Sequence, residues 1–136
     1  MGLTIVDDSY NSNPKALSRA LAMLAGESRY ARRIAVIGEM LELGVASAAL
    51  HRTMGEEAAR SGIGALITVG GADARALADG AVEAGMPPDS VHHVANSQDA
   101  AGLAVTLARP GDLFLVKGSR GIRTEVVVDR LKAEFA

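Results

Sequence analysis

Three polar, glycine-punctuated stretches of this chain combine residue types that could hold a charged ligand. The first, Asp7-Asp8-Ser9-Tyr10-Asn11-Ser12-Asn13-Pro14, sets two carboxylates, a phenol and two side-chain amides within eight residues. Its paired acids could bind a metal, hold a ribose hydroxyl or receive an arginine. The plainer alternative is that they solvate a turn and favour the N-terminus of the next helix. Asn11 and Asn13 offer amide donors and acceptors suited to a nucleotide base or phosphate, but Asn is also an ordinary turn residue, and for Asn13 the helix cap is the better reading. Tyr10 could stack on a base or sugar, or pack over a sheet edge.

Lys117-Gly118-Ser119-Arg120-Gly121 reads as an anion site, because two cations flank glycines that let backbone approach a ligand closely. Ionised donors contribute roughly 1.5–3 kcal/mol per hydrogen bond to a carboxylate or phosphate, so Lys117 and Arg120 could dominate such binding. The alternative is a solvated basic loop. Gly38-Glu39-Met40-Leu41-Glu42-Leu43-Gly44 could present Glu39 to a cation or amine, with Leu41 and Leu43 packed beneath it. His51, His92 and His93 lack ligand-like spacing and are read as structural or solvated. There is no Ser-His-Asp pattern, HExxH, GxSxG or GxxxxGK[ST]. Nucleophilic hydrolysis and zinc proteolysis are therefore unsupported, no metal ligand is assigned, and no loop here could hold a triphosphate by itself.

These stretches sit at the ends of apolar runs. Leu3-Thr4-Ile5-Val6, Ile34-Ala35-Val36-Ile37, Ala65-Leu66-Ile67-Thr68-Val69, Val91-His92-His93-Val94 and Leu113-Phe114-Leu115-Val116 read as five strands, each followed by a helical pattern. The first is expected to be a short buried strand; the second, apolar throughout, should be buried on both faces. The fourth is the most polar and is expected near an edge. Helices are expected over 14 to about 25, 47–61, 73–84, from Ser97 to about 107, and 124–135. Asn13 would cap the first with Pro14 at its first position, and Ser97 would cap the fourth. Leu17, Ala20, Leu21 and Leu24 would face the sheet from the first helix, and Leu77, Ala78, Ala81 and Val82 from the third.

The expected fold is α/β: a Rossmann-like open, mostly parallel sheet of five to six strands with helices on both faces. Right-handed crossovers put all the strand ends, and hence all three polar stretches, on one edge.

At 136 residues the chain reads as a single domain, 1–136, able to bury roughly two thirds of its unfolded surface. It opens abruptly on a strand, as a fragment of a longer protein would. It is 49% hydrophobic but 3% aromatic, lacks Cys, and carries 14 basic and 16 acidic residues for a net charge of −2. Disulfides are excluded, and with no basic run a nucleic-acid partner is not expected. No apolar run is long enough to span a bilayer and no signal peptide is visible, so no membrane partner and a cytoplasmic location are expected.

Taken together and in order, the 7–14, 38–44 and 117–121 stretches, with Leu50-His51 after the second, resemble the C-terminal domain of a Mur ligase over essentially the whole chain. The closest pattern is that of the family branch that joins D-alanyl-D-alanine to UDP-N-acetylmuramoyl-tripeptide. The resemblance implies an ATP- and magnesium-dependent peptidoglycan-precursor ligase, expected to be monomeric, in which the tripeptide carboxylate is activated as an acyl phosphate and attacked by the dipeptide amine. It also implies N-terminal and central domains that hold most of the ATP and magnesium contacts, so this chain alone should be inactive.

Carried over by the same resemblance, Asp8, Tyr10, Asn11 and Asn13 would face the nucleotide. Glu39, Leu43, Lys117, Ser119 and Arg120 would face the dipeptide, with Lys117 and Arg120 acting on the reaction. Two positions depart from the pattern: Asp7 stands where Asn is common, and Glu39 where Asp is usual. A phosphoacceptor signalling domain would share the paired acids and Lys117, but the third strand ends at Val69-Gly70-Gly71 without an aspartate. A non-catalytic nucleotide-binding module is the third reading.

Overall fold

Among the described residues, strands β1 (Thr4–Asp8), β2 (Arg32–Gly38), β3 (Ala65–Val69), β4 (Val91–Val94) and β5 (Asp112–Lys117) pair in the order β1-β5-β2-β3-β4, all parallel. The computed structural model describes residues 2–9, 12–118 and 121–135, so Tyr10, Asn11, Ser119 and Arg120 lie outside the described residues. Helices α1 (Pro14–Ala25), α2 (Ser47–Arg60) and α3 (Ala72–Glu83) cover one face, and α4 (Ser97–Leu107) and α5 (Glu125–Phe135) the other.

The period-two alternation of the strands divides the apolar residues between two cores. Ala35, Ile37, Leu66, Leu113 and Leu115 point towards α1, α2 and α3. Ile34, Val36, Ile67, Val69, Phe114 and Val116 point towards α4 and α5. Ile34-Ala35-Val36-Ile37 is buried on both faces, as its unbroken apolar run requires.

The structure differs from the sequence-based expectation in four places. β1 runs on through Asp7 and Asp8, and it is an edge strand exposed at Thr4 and Asp7 rather than a buried one. In α3, Val82 is exposed and Ala74 is buried instead, because the helix docks on α2 as well as on the sheet. At α4 the cap is Asn96, whose side chain accepts from the Asp99 N–H, while the Ser97 hydroxyl donates to the Ile122 carbonyl. Finally, the 38–44 stretch, which reads as a strand-end loop or a short helical turn, has elements of both: Gly38 still belongs to β2 and Gly44 opens a 3-10 turn, Gly44–Ala46. The polar β4 does lie at the edge opposite β1.

This topology creates a switch point. β1 and β2 lead to helices on one face and β5, between them, leads to α5 on the other, so the connections diverge at the carboxyl end of β5. Open α/β sheets bind ligands in the crevice outside such a divergence.

Candidate functional site

Asp8 and Lys117, the last residues of β1 and β5, are register partners across the two strands. Their side chains project from the α1 face, where alternation also places Val6 and Leu115. The Lys117 ammonium donates to Asp8 Oδ2 at 2.5 Å, with the lysine side chain 3% exposed and the aspartate 47% exposed. A buried ammonium needs a compensating charge, and Asp8 supplies it. Asp8 Oδ1 has no hydrogen-bond partner among the described residues and can accept from an outside donor. Beside the pair lies a groove of about 350 Å³, walled by Val6, Ala16, Ala20 and Leu115, with Arg19 and Met23 at its lining.

Asp7 points to the opposite face of the strand, where its Oδ1 accepts from the Ser9 N–H at 3.2 Å and the Ser9 hydroxyl at 2.6 Å. Strand geometry therefore separates the two acids, and they do not form a paired carboxylate site. Among the described residues no three His, Cys, Asp or Glu side chains converge in a metal-ligand set. Asn13 caps α1, its Oδ1 accepting from the Ala16 N–H at 2.9 Å.

The 39–43 segment is anchored at its start. The Glu39 N–H donates to the Val69 carbonyl at 2.9 Å, and Glu39 Oε2 accepts from the Gly71 N–H at 3.0 Å, placing a carboxylate at the N-terminus of α3. Glu39 thus satisfies the N-cap residue's own N–H at a helix start where Gly71 has no side chain to cap the turn that follows. Leu43 packs on the core below, whereas Leu41 is exposed rather than packed beneath Glu39.

Gly118 meets a packing demand: a Cβ built there would stand 2.3 Å from the Thr124 hydroxyl oxygen. One on Gly38 would stand 3.0 Å from the Thr124 methyl carbon. The ends of β2 and β5 are thereby closed by Thr124, a fully buried residue just before α5. No motif pointed to it.

The sheet order also separates this edge from that of a phosphoacceptor domain. The flavodoxin-like order used by such domains, 2-1-3-4-5, places the first strand inside the sheet, whereas β1 here is an edge strand.

Comparison with known proteins agrees with this geometry. The profile of the family described as "Mur ligase, glutamate ligase domain" matches residues 1–120. The chain belongs to the Mur ligase family. The UDP-N-acetylmuramoyl-tripeptide–D-alanyl-D-alanine ligase of Bacillus subtilis is 32% identical to it over 130 residues, covering 96% of this chain and 28% of that protein. The enzyme of the same name from Mycobacterium tuberculosis strain CDC 1551 is 37% identical over 149 residues, covering 98% of this chain and 29% of that one.

Among solved structures, the MurF ligase from Thermotoga maritima in complex with ADP superposes with a TM-score of 0.77 at 26% identity, over 98% of this chain and 29% of that chain. A MurF structure from Acinetobacter baumannii gives 0.78 at 26% identity, over 94% and 28%. The chain spans less than a third of the length of these relatives.

In this Mur ligase domain, then, the first and third motifs meet through Asp8 and Lys117 at the switch point, while Glu39 of the second is anchored on the neighbouring β3 side. The residues that brace the motifs, Thr124 against Gly38 and Gly118 and His51 accepting from the Met40 N–H, lie outside or at the margin of them. Their signal was weak: an isolated Thr before a helix, and a His on an amphipathic one.

Proposed function

We propose that this chain is the C-terminal domain of an ATP-dependent ligase that joins D-alanyl-D-alanine to UDP-N-acetylmuramoyl-tripeptide in bacterial peptidoglycan precursor synthesis. It acts in the cytoplasm, as a monomer with N-terminal and central domains. The observation that carries the reading is the meeting of two motifs at the switch point, where Lys117 holds Asp8 with one carboxylate oxygen left to accept. Relatives bearing that ligase name match nearly the whole chain, which supports the substrate assignment.

In this reading Asp8 accepts from a ribose hydroxyl of ATP, and Tyr10 and Asn11 are assigned to the same nucleotide. Asn13 contributes by fixing the start of α1. Lys117 acts chiefly by orienting Asp8, because its ammonium is buried against that carboxylate. Ser119 and Arg120, which follow Lys117, together with Glu39 and Leu43, form the dipeptide side, and Arg120 is the cation that faces the transferring phosphate.

ATP supplies the phosphoryl group that activates the tripeptide carboxylate. The described residues offer no ligand set for the accompanying magnesium, since Asp7 and Asp8 diverge and Asp8 is engaged by Lys117. What this domain supplies is positioning and water exclusion as it closes over the nucleotide.

The test is to put this chain in place of the corresponding segment of the Bacillus subtilis relative and to assay dipeptide-dependent ADP release. The joined protein should turn over, and the isolated chain should not. Arg120→Ala in the joined protein should lower kcat and leave the fold intact. Turnover by the isolated chain, or a joined protein that folds but ignores D-alanyl-D-alanine, would overturn the reading.

A further inference from the structure

The segment leaving β2 is held by a histidine that no motif assigns a task. His51, in the second turn of α2, is fully buried. Its Nε2 accepts from the Met40 N–H at 2.8 Å, and its Nδ1 lies 2.7 Å from the Ser47 carbonyl oxygen. These partners define the proton. An amide N–H can only donate and a carbonyl can only accept, so Nε2 is bare and Nδ1 carries the hydrogen.

A second connection leaves the same turn. The Ser47 hydroxyl, 3.3 Å from Nδ1, donates to Asp73 Oδ2 at 2.6 Å in the first turn of α3. Glu39, one residue before Met40, reaches the start of α3 through Gly71. The Met40 side chain is itself buried in the core. Backbone and side chain of Met40 are thus both fixed, and the chain beyond it emerges with Leu41 exposed and Glu42 at a φ of 63°, a left-handed conformation that L side chains rarely adopt.

We propose that His51 is a positioning residue, whose neutral ring sets the 39–43 strand-end segment for the incoming dipeptide by accepting from the Met40 amide. This rests on the proposed ligase reading for the identity of the substrate. The ring touches no reacting atom. Its effect passes through Met40 to the segment that carries Glu39 and Leu43.

Two variants of like polarity separate positioning from mere filling of the core. In His51→Gln the side-chain carbonyl reaches the position of Nε2 and can still accept from Met40; in His51→Asn it stops near Nδ1 and cannot. In the joined protein, His51→Asn should raise the KM for D-alanyl-D-alanine about tenfold, with the KM for ATP within about twofold, and His51→Gln should stay within about twofold on both. Equal dipeptide KM in active Asn and Gln variants would overturn the proposal.

If the unsubstituted joined protein fails to consume the dipeptide, the functional reading fails, and the positioning claim is then decided on the 136-residue chain alone. There, hydrogen exchange at the Met40 amide should be slow in wild type and His51→Gln and fast in His51→Asn. Equal protection in both variants would overturn it. The same exchange measurement decides the matter should either variant prove inactive.

Discussion

Lys117 and Asp8 form an ion pair whose two members differ sharply in exposure: the lysine side chain is 3% exposed and the aspartate 47%. They lie 109 positions apart in the chain and meet because β1 and β5 are neighbours in register. The asymmetry predicts unequal consequences for the two halves of the pair.

Lys117→Met replaces the buried stem with apolar volume and leaves a carboxylate that water can solvate. Asp8→Asn removes the carboxylate charge that the buried ammonium meets at 2.5 Å. Breaking a fully buried pair costs about 3–5 kcal/mol, and the exposure of Asp8 reduces this to about 1–3 kcal/mol for Asp8→Asn, with about 1 kcal/mol or less for Lys117→Met. Urea unfolding of the two variants should show that order. The reverse order would mean that Lys117 does not depend on Asp8 for its charge.

Gly55 of α2 and Gly80 of α3 should resist the substitution that helices ordinarily welcome. An exposed helical Gly→Ala change stabilises by about 1 kcal/mol. Here a Cβ on Gly80 would stand 2.2 Å from the Arg52 carbonyl oxygen, and one on Gly55 1.9 Å from that of Leu77. Both obstacles are backbone, so the helices must part, and each variant should lose about 2 kcal/mol or more. A rise in thermal midpoint in either would show that the helices are not in such close contact.

Glu39→Asp tests the departure from the usual family residue. The shorter side chain should not span to the Gly71 N–H while the Glu39 amide stays bonded to Val69. The loss of a carboxylate hydrogen bond at a helix N-terminus costs about 1 kcal/mol. Faster hydrogen exchange at the Gly71 amide, with β2 amides unchanged, is the expected signature. Unchanged exchange would mean the carboxylate is free for another task.

At the amino ends of β2 and β5, Arg32 donates to Asp112 Oδ2 at 2.9 Å and to the Leu107 carbonyl, and Asp112 also accepts from the Arg109 N–H. With Asp112 2% exposed, Asp112→Asn should cost about 3 kcal/mol. A loss under about 1 kcal/mol in chemical denaturation would show that the clip is dispensable.

Most of the architecture was legible because the apolar runs of β2, β3 and β5 are continuous and short, and because Asn13-Pro14 marks a helix start unambiguously. What escaped was set by tertiary context. Nothing local says that Asp8 continues a strand, since the hydrogen bonds that extend β1 come from β5. The buried task of Asp112 left no local sign because its partner, Arg32, lies 80 positions away. The packing demand on Gly118 was hidden because the residue it accommodates, Thr124, comes from beyond the loop. His51 looked inert because its partners are backbone groups, which leave no trace in residue spacing.

Whether the Asp8 end of the sheet faces the nucleotide is decided by the KM for ATP of Asp8→Asn in the joined protein. Loss of a charged acceptor for a ribose hydroxyl predicts a rise of about tenfold or more, with the KM for D-alanyl-D-alanine within about twofold of wild type. A wild-type KM for ATP in that variant, at undiminished folding, would contradict the account.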